Sequence, residues 1–369
     1  MSRLDKLIAE LCPNGVEYKP LEQCCSILDN RRKPVTKAAR VSGEYPYYGA
    51  NGIQDYVSEY IFEGVFILVG EDGSVMTPNG NPVVNWAEGK IWVNNHAHIV
   101  EEKEGILLRY LYHFIQTVNV SDVIHGNIPK LTGKDFRAIR VPVPPLEVQR
   151  EIARVLDNFT LLTAELTAEL TARKKQYEYY KDKLLSFDAD ITTIPLANIA
   201  EIGTGSSNTN EAVKDGKYPF FVRSQIPLLK NEYEYDETAI ITAGDGVGVG
   251  KVFHYVEGKY ALHQRAYRIH IVDKRVLSKY AFYYIQAKFY DYISKAGFHS
   301  SVSSIRRPML NAFEIPLPAI GLQKEIIKAL DNFDKVCNDI SIGLPAEIAA
   351  RQKQYEYYRD KLLTFKEAR

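Results

Sequence analysis

The chain has 369 residues, 46% hydrophobic and 25% charged, with 46 basic and 46 acidic side chains and a net charge of zero. That length suits two ordinary domains with full cores, the composition excludes a disordered polymer, and the charge balance argues against a uniformly basic surface while allowing local basic patches. No signal-peptide start and no apolar run near ~20 residues occurs, so a soluble cytoplasmic protein without membrane contact is expected.

In chain order, DKLIAEL from Asp5 reads as the tail of a helix. Residues up to 143 then alternate short β-rich runs (FILVG, KIWVNNHAHIV) with an aromatic helix, LRYLYHFIQTV, punctuated by Gly, Pro and Asn. Such a pattern predicts an α+β domain. Pro144 and Pro145 introduce a long helix over residues 144–187, as prolines do at helix starts. Its apolar stripe steps through Ile152, Val155, Phe159, Leu162 and Leu166, and continues past Leu170 to Arg173, Tyr177, Tyr180 and Leu184. Two TAEL tetrapeptides (Thr163–Leu166 and Thr167–Leu170) add about one turn each, so they behave as an adjustable spacer. The stretch RKKQYEYYKDKLL follows at Arg173.

Residues 188–317 repeat the pattern of the first domain, with AIITAG, YALHQRAYRIHIV and SKYAFYYIQAKFYDYIS, and residues 318–369 repeat the helix. IRVPVPPLEVQREIARVLDNF from Ile139 matches FEIPLPAIGLQKEIIKALDNF from Phe313 at an offset of 174. Ala172–Phe187 matches Ala350–Phe365 at 13 of 16 positions with an offset of 178. The second copy thus has four more residues between these points, together with Gly343 and Pro345, which should kink or interrupt the helix. The expected fold is therefore α+β: a tandem repeat of two globular domains, each followed by a long α-helix. A helix of about 40 residues spans roughly 60 Å, and its stripe needs a partner. The two helices should form an antiparallel coiled coil with pseudo-twofold symmetry.

Catalytic chemistry finds little support. GDGVGVGK (Gly244–Lys251) fails the phosphate-loop pattern, because Asp245 stands where the first glycine belongs and Val252 replaces Ser or Thr. It reads as a glycine-rich turn between strands. No N-P-P-Tyr/Phe or D-P-P-Tyr loop for amino methylation occurs. His96 and His98 alternate on an expected strand, but no cysteine or acidic cluster accompanies them and their counterparts are Arg265 and Tyr267, so no metal site is expected. Cys12, Cys24, Cys25 and Cys337 form no C-x-x-C pair and suit a reducing compartment.

Tandem variable domains, each followed by a near-identical helix carrying QYEYY-x-DKLL, resemble the specificity (S) subunits of type I restriction-modification systems. The TAEL units and LPAEIAAR-x-KQYEYY resemble one subclass of that family. The resemblance covers essentially the whole chain. It implies two target-recognition domains, each reading half of a bipartite DNA site, while the helices set the gap and bind two methylation (M) subunits. It also implies a non-catalytic chain without a cofactor of its own, S-adenosylmethionine belonging to the M subunits and restriction (R) subunits joining through the complex. Tyrosine is enriched at interfaces, so Tyr177, Glu178 and Tyr179, with Tyr355, Glu356 and Tyr357, are the expected partner surface. Base reading needs polar side chains on held loops. Asn94, Asn95 and His96 face His263, Gln264 and Arg265 in the aligned copies. In the loop before each long helix, His125, Asn127, Lys130 and Lys134 correspond to His299, Ser300, Ser303, Arg306 and Arg307. Arg31, Arg32 and Lys33 in NRRKP are expected on phosphates. The rival reading is a helical scaffold that pairs two proteins without reading DNA; a further variant has one recognition domain that has lost its DNA contacts.

Overall fold

The computed structural model describes residues 3–73, 75–124, 129–295 and 304–368. The chain divides into two compact units, Met1–Leu166 with Glu347–Arg369, and Thr167–Ala346. These units cut across the sequence repeat. Each joins one globular domain and the first half of its own long helix to the tyrosine-bearing half of the other copy's helix.

In the first unit the elements run α1 (Arg3–Leu11), β1 (Glu17–Pro20), α2 (Leu21–Cys24), β2 (Ser26–Ile27), β3 (Ser42–Gly49), β4 (Gly52–Val57), β5 (Phe62–Gly70), β6 (Val84–Val93), β7 (Ala97–Glu101), α3 (Leu108–Ile115), α4 (Gly133–Ala138) and β8 (Arg140–Val143), leading into α5 (Leu146–Leu184). Six strands form one sheet in the order β2-β7-β5-β6-β3-β4, and β1 pairs β8 in a small second sheet. The sheet is antiparallel except where β3 runs parallel to β6. Ile67, Leu68 and Val69 of β5 are wholly buried, as a central strand covered on both faces requires.

The second unit repeats this: β9 (Thr193–Pro195), β10 (Ala200–Thr204), β11 (Tyr218–Phe221), β12 (Leu228–Lys230), β13 (Tyr235–Ala243), β14 (Phe253–Leu262), β15 (Ala266–Ile271), α6 (Ser278–Lys295), α7 (Arg307–Asn311), β16 (Glu314–Pro316) and α8 (Ile320–Asn338), with α9 beginning at Leu344 and ending at Leu362. Its sheet order, β10-β15-β13-β14-β11-β12, matches the first strand for strand, with β9–β16 matching β1–β8. Among the described residues, no helix is long and apolar enough to cross a membrane.

The two long helices differ where the sequence places Gly343 and Pro345, and the expected interruption of the second copy is present. α5 is unbroken for 39 residues through both TAEL units, whereas the second copy is split into α8 and α9. Asp339 stops α8: its Oδ1 accepts from the backbone N–H of Ser341 at 2.7 Å and of Ile342 at 3.2 Å, a side-chain turn that competes with helix. At Gly343 a Cβ would lie 2.5 Å from the Lys335 carbonyl oxygen, so glycine is required there.

Equivalent buried networks fasten the helix start in each unit. Gln149 accepts from the Leu107 N–H at 2.8 Å and donates to the Pro144 carbonyl at 2.8 Å and the Gly105 carbonyl at 3.1 Å. Gln323 accepts from Leu277 at 2.9 Å and donates to Pro318 at 2.9 Å and Arg275 at 2.8 Å. Both glutamines are fully buried and satisfied, which explains the polar residue inside an otherwise apolar repeat.

Candidate nucleic-acid interface

One edge of each sheet gathers four chain segments through the same backbone hydrogen bonds. In the first unit β6 reaches β7 by crossing the end of β5, where the Glu71 N–H donates to the His96 carbonyl at 2.9 Å. The Leu131 N–H donates to the Glu71 carbonyl at 2.8 Å, and the Asn94 N–H to the Tyr48 carbonyl at 3.1 Å. In the second unit Gly244 donates to Arg265 at 2.9 Å, Ile305 to Gly244 at 2.8 Å, and His263 to Phe221 at 2.9 Å. Residues 93–98 and the described part of the second expected segment, 129–134, with their counterparts 262–267 and 304–308, are therefore neighbours within each unit, side by side over the end of β5 or β13.

This crossing replaces the expected continuous strand through His96 and His98. Asn94 Oδ1 accepts from the His96 N–H at 2.8 Å, and His263 Nδ1 accepts from the Arg265 N–H at 3.0 Å, closing a tight turn in each copy. Asn94 and His263 are accordingly buried, and their side chains shape the loop. Asn95, His96, Gln264 and Arg265 are exposed. His96 Nδ1 meets Asp72, and Arg265 Nη1 meets Asp245 Oδ2 at 3.2 Å.

Arg32 also departs from its expected role. Its guanidinium is bonded to Glu71 and donates to the carbonyls of Asp29 and Ala97, both at 2.8 Å, so it holds the loop and is not free for phosphate. Lys130 pairs with Glu71 at 3.2 Å. Arg31 lies over the Phe62 ring at 4.8 Å and is exposed. Lys33, Lys134, Arg306 and Arg307 are exposed, and no side-chain partner is found for them among the described residues. His125, Asn127, His299, Ser300 and Ser303 lie outside the described residues.

Contrary to the expectation from sequence, acidic groups do accompany His98. Asp29 Oδ2 lies 2.7 Å from its Nδ1 and Glu71 Oε2 3.7 Å away. The three could supply metal ligands, but their atoms are already engaged. His98 Nε2 donates to the Leu131 carbonyl at 2.9 Å, Ile99 N–H donates to Asp29 at 3.0 Å, and Arg32 and Lys130 sit on Glu71. Burial pushes the Asp29 carboxyl up, yet His98, Ile99 and Arg32 hold it below the usual carboxylate range. The arrangement is an ion-paired clasp that fixes the loop before α4.

The glycine-rich segment 244–251 joins β13 to β14. A Cβ at Gly244 would come 2.6 Å from the Arg265 carbonyl oxygen, and one at Gly248 2.5 Å from that of Arg223. Close backbone packing explains both glycines. That packing brings in residues the sequence reading missed: Arg223, Ser224 and Asp245, with Asp72 in the first unit. Only the long-range crossing of β5 and β13 makes them neighbours.

The repeated tyrosine stretch sorts into two faces. Tyr177 and Tyr355, expected at the partner surface, are instead buried, at 7% and 6% exposure. In the first unit Tyr355 donates to His113 Nδ1 at 3.2 Å, and His113 Nε2 donates to Asp157 at 2.8 Å, with Arg109 on Asp157 at 2.7 Å. Burial pushes the His113 imidazole down against the pull of Asp157, which fixes this neutral tautomer. In the second unit Tyr177 packs on Phe333 at 5.9 Å, and Tyr283 donates to Asp331. By contrast Tyr179 and Tyr357 are 63% and 61% exposed. Tyr179–Tyr180 and Tyr357–Tyr358 have identical geometry, 5.3 Å between centroids and 76° between planes. Glu178 is exposed and pairs with Lys181 at 2.8 Å; Glu356 is half-buried and accepts from Gln352 at 3.2 Å.

Comparison with known proteins agrees with this organisation. The family model described as the type I restriction modification DNA specificity domain matches twice, at residues 13–173 and 189–350. The chain is 36% identical to a Haemophilus influenzae protein named as a candidate type I restriction enzyme specificity subunit, over 95% of this chain and 96% of that one. It is 33% identical to the Escherichia coli EcoR124I/EcoR124II specificity subunit, over 70% and 71% of the two chains. Its fold is similar to that of a type I restriction-modification S subunit from M. genitalium, with a TM-score of 0.67 at 14% identity, covering 95% and 96%.

Proposed function

The chain belongs to the type I restriction-modification DNA specificity family, and from that membership we propose that it is the DNA-reading subunit of a type I complex. Each unit reads one half of an asymmetric, split site through the polar edge of its sheet. The observation that carries this is one backbone lattice bearing different side chains: Asn95, His96 and Lys130 in the first unit, Gln264, Arg265 and Ser304 in the second. A shared frame with exchanged readers suits two dissimilar half-sites, whereas identical readers would suit a palindrome.

Lys33 and Lys134 in the first unit, with Arg306 and Arg307 in the second, supply exposed charge for phosphates. The matched tyrosine pairs, Tyr179–Tyr180 and Tyr357–Tyr358, form two equivalent docking surfaces, one for each of two M subunits. The uninterrupted α5 sets the gap between half-sites. Specificity subunits of this kind are non-catalytic. In this proposal methyl transfer and S-adenosylmethionine belong to the M subunits, and cleavage belongs to R subunits joined through the complex.

The test is DNA binding by the assembled complex at two salt concentrations. Sequence-dependent binding that weakens steeply with salt supports the reading. Assembly with partners but no preference among DNA sequences returns the chain to the scaffold reading.

A further inference from the structure

Asp245 occupies an unusual position at the polar edge of the second unit. Its Oδ1 accepts from Arg223 Nη1 at 2.7 Å, and its Oδ2 from Arg265 Nη1 at 3.2 Å. One carboxylate thus holds two guanidinium groups from separate segments, the tip after β11 and the crossing after β14. Burial pushes the Asp245 carboxyl up, but the two arginines hold it below the usual range, so it stays charged. Neither arginine is consumed by the pairing. Their side chains are 41% and 61% exposed, and among the described residues no other hydrogen bond engages their remaining N–H donors. Arg223 borders an open groove lined by Thr209, Ser224 and Val247, and both arginines border a second one lined by Asn208, Asn210 and Gln264.

The equivalent place in the first unit is built differently on the same frame. Asp72 corresponds to Asp245 and His96 to Arg265, while Ala50 stands where Arg223 stands. The acid is common to both units and the cations are not. Were the acid there only to neutralise surplus charge, it would have no reason to stay where a single histidine replaces two arginines. A positioned acid that orients whichever reader follows accounts for both.

A guanidinium offers paired donors in a fixed fork, and in the major groove guanine is the base that presents two acceptors, O6 and N7, to match it. Holding the fork beforehand lowers the ordering cost of binding. We propose that Arg265, aimed by Asp245 and supported by Arg223, reads a guanine in the half-site of the second unit. That half-site then contains a G·C pair whose selection depends on Arg265, and the first half-site has no arginine-read base at the matching place. Asp245 is a positioning residue and touches no DNA itself.

This rests on the DNA-reading function above, and one experiment separates the two. The full chain, assembled with its M subunits, selects from a duplex library randomised across both half-sites. With R265A, preference for G·C at a single position of one half-site should fall roughly 5- to 150-fold, the range of one bidentate contact. The other half-site should be unchanged. D245N, which keeps shape and removes charge, should relax the same position and no other. A uniform loss over all sequences with R265A, with the salt slope reduced by about one, would make Arg265 a phosphate contact and overturn the inference while DNA reading stands. Unaltered selection by both variants would also overturn it. Failure of the unmodified complex to enrich any sequence would remove the DNA-reading function itself, and the inference with it.

Discussion

Replacing Tyr355 and Tyr357 separately by alanine probes the division of the tyrosine stretch into an inner and an outer face. The residues are two positions apart on α9, yet Tyr355 is 6% exposed and Tyr357 61%. Tyr355 packs in the core of the first unit and donates to His113 at 3.2 Å. Removing a buried aromatic ring costs about 3–5 kcal/mol, part of it from the cavity left behind. For a unit of roughly 190 residues, each kcal/mol lowers the melting temperature by about 2–4 °C, so Y355A should lower it by about 6–20 °C. Y357A removes an exposed ring and should change stability by less than about 0.5 kcal/mol. Its effect belongs to the partner interface, where loss of an anchoring tyrosine costs about 2 kcal/mol or more, some thirtyfold in affinity. Calorimetry of the isolated chain and titration with M subunit read the two effects. Equal destabilisation by both variants, or weakened M binding by neither, would refute the division.

Three further outcomes follow from the same geometry. Burial pushes His113 down, so the unfolded chain takes up its proton near pH ~6.5 while the folded chain resists. The stability this group contributes is complete above that pH and is lost as pH falls below it, so thermal melts of H113Q should show a shallower decline from pH 7 to 5 than the parent, and an identical decline would count against the neutral His113–Asp157–Tyr355 network. Gln323→Leu leaves the Leu277 N–H and the Pro318 and Arg275 carbonyls without their buried partner and should cost about 3 kcal/mol in denaturant unfolding. Deleting one TAEL unit shortens α5 by ~6 Å, on the order of one to two base pairs of DNA; methylation mapping should show a shorter gap with both half-sites intact, and altered half-sites would mean that α5 is not a ruler.

The repeat was the most legible feature of the chain, because a duplicated helix keeps its three-and-four stripe and its caps wherever it packs. Sequence did not show which copy's tyrosine helix each domain would bury, since near-identical helices offer the same stripe to either. The TAEL units read as helix and are helix; Gly343 and Asp339 break the second copy through local turn chemistry. At the polar edge, residue type alone selected Arg32, Asn94 and His263, which spend their hydrogen bonds on the loop itself. No local pattern marks Asp72, Arg223 or Asp245 as part of this edge, because their significance comes from β6 and β14 crossing a strand end far away in sequence. Which donors are occupied is a property of the fold, and no local pattern records it.

The most direct test of the central claim is a genome-wide map of N6-methyladenine in the host, with and without this chain. A split motif that disappears on deletion, and returns with the intact gene, is the predicted result. An unchanged methylation map, with the M subunits expressed, would contradict it.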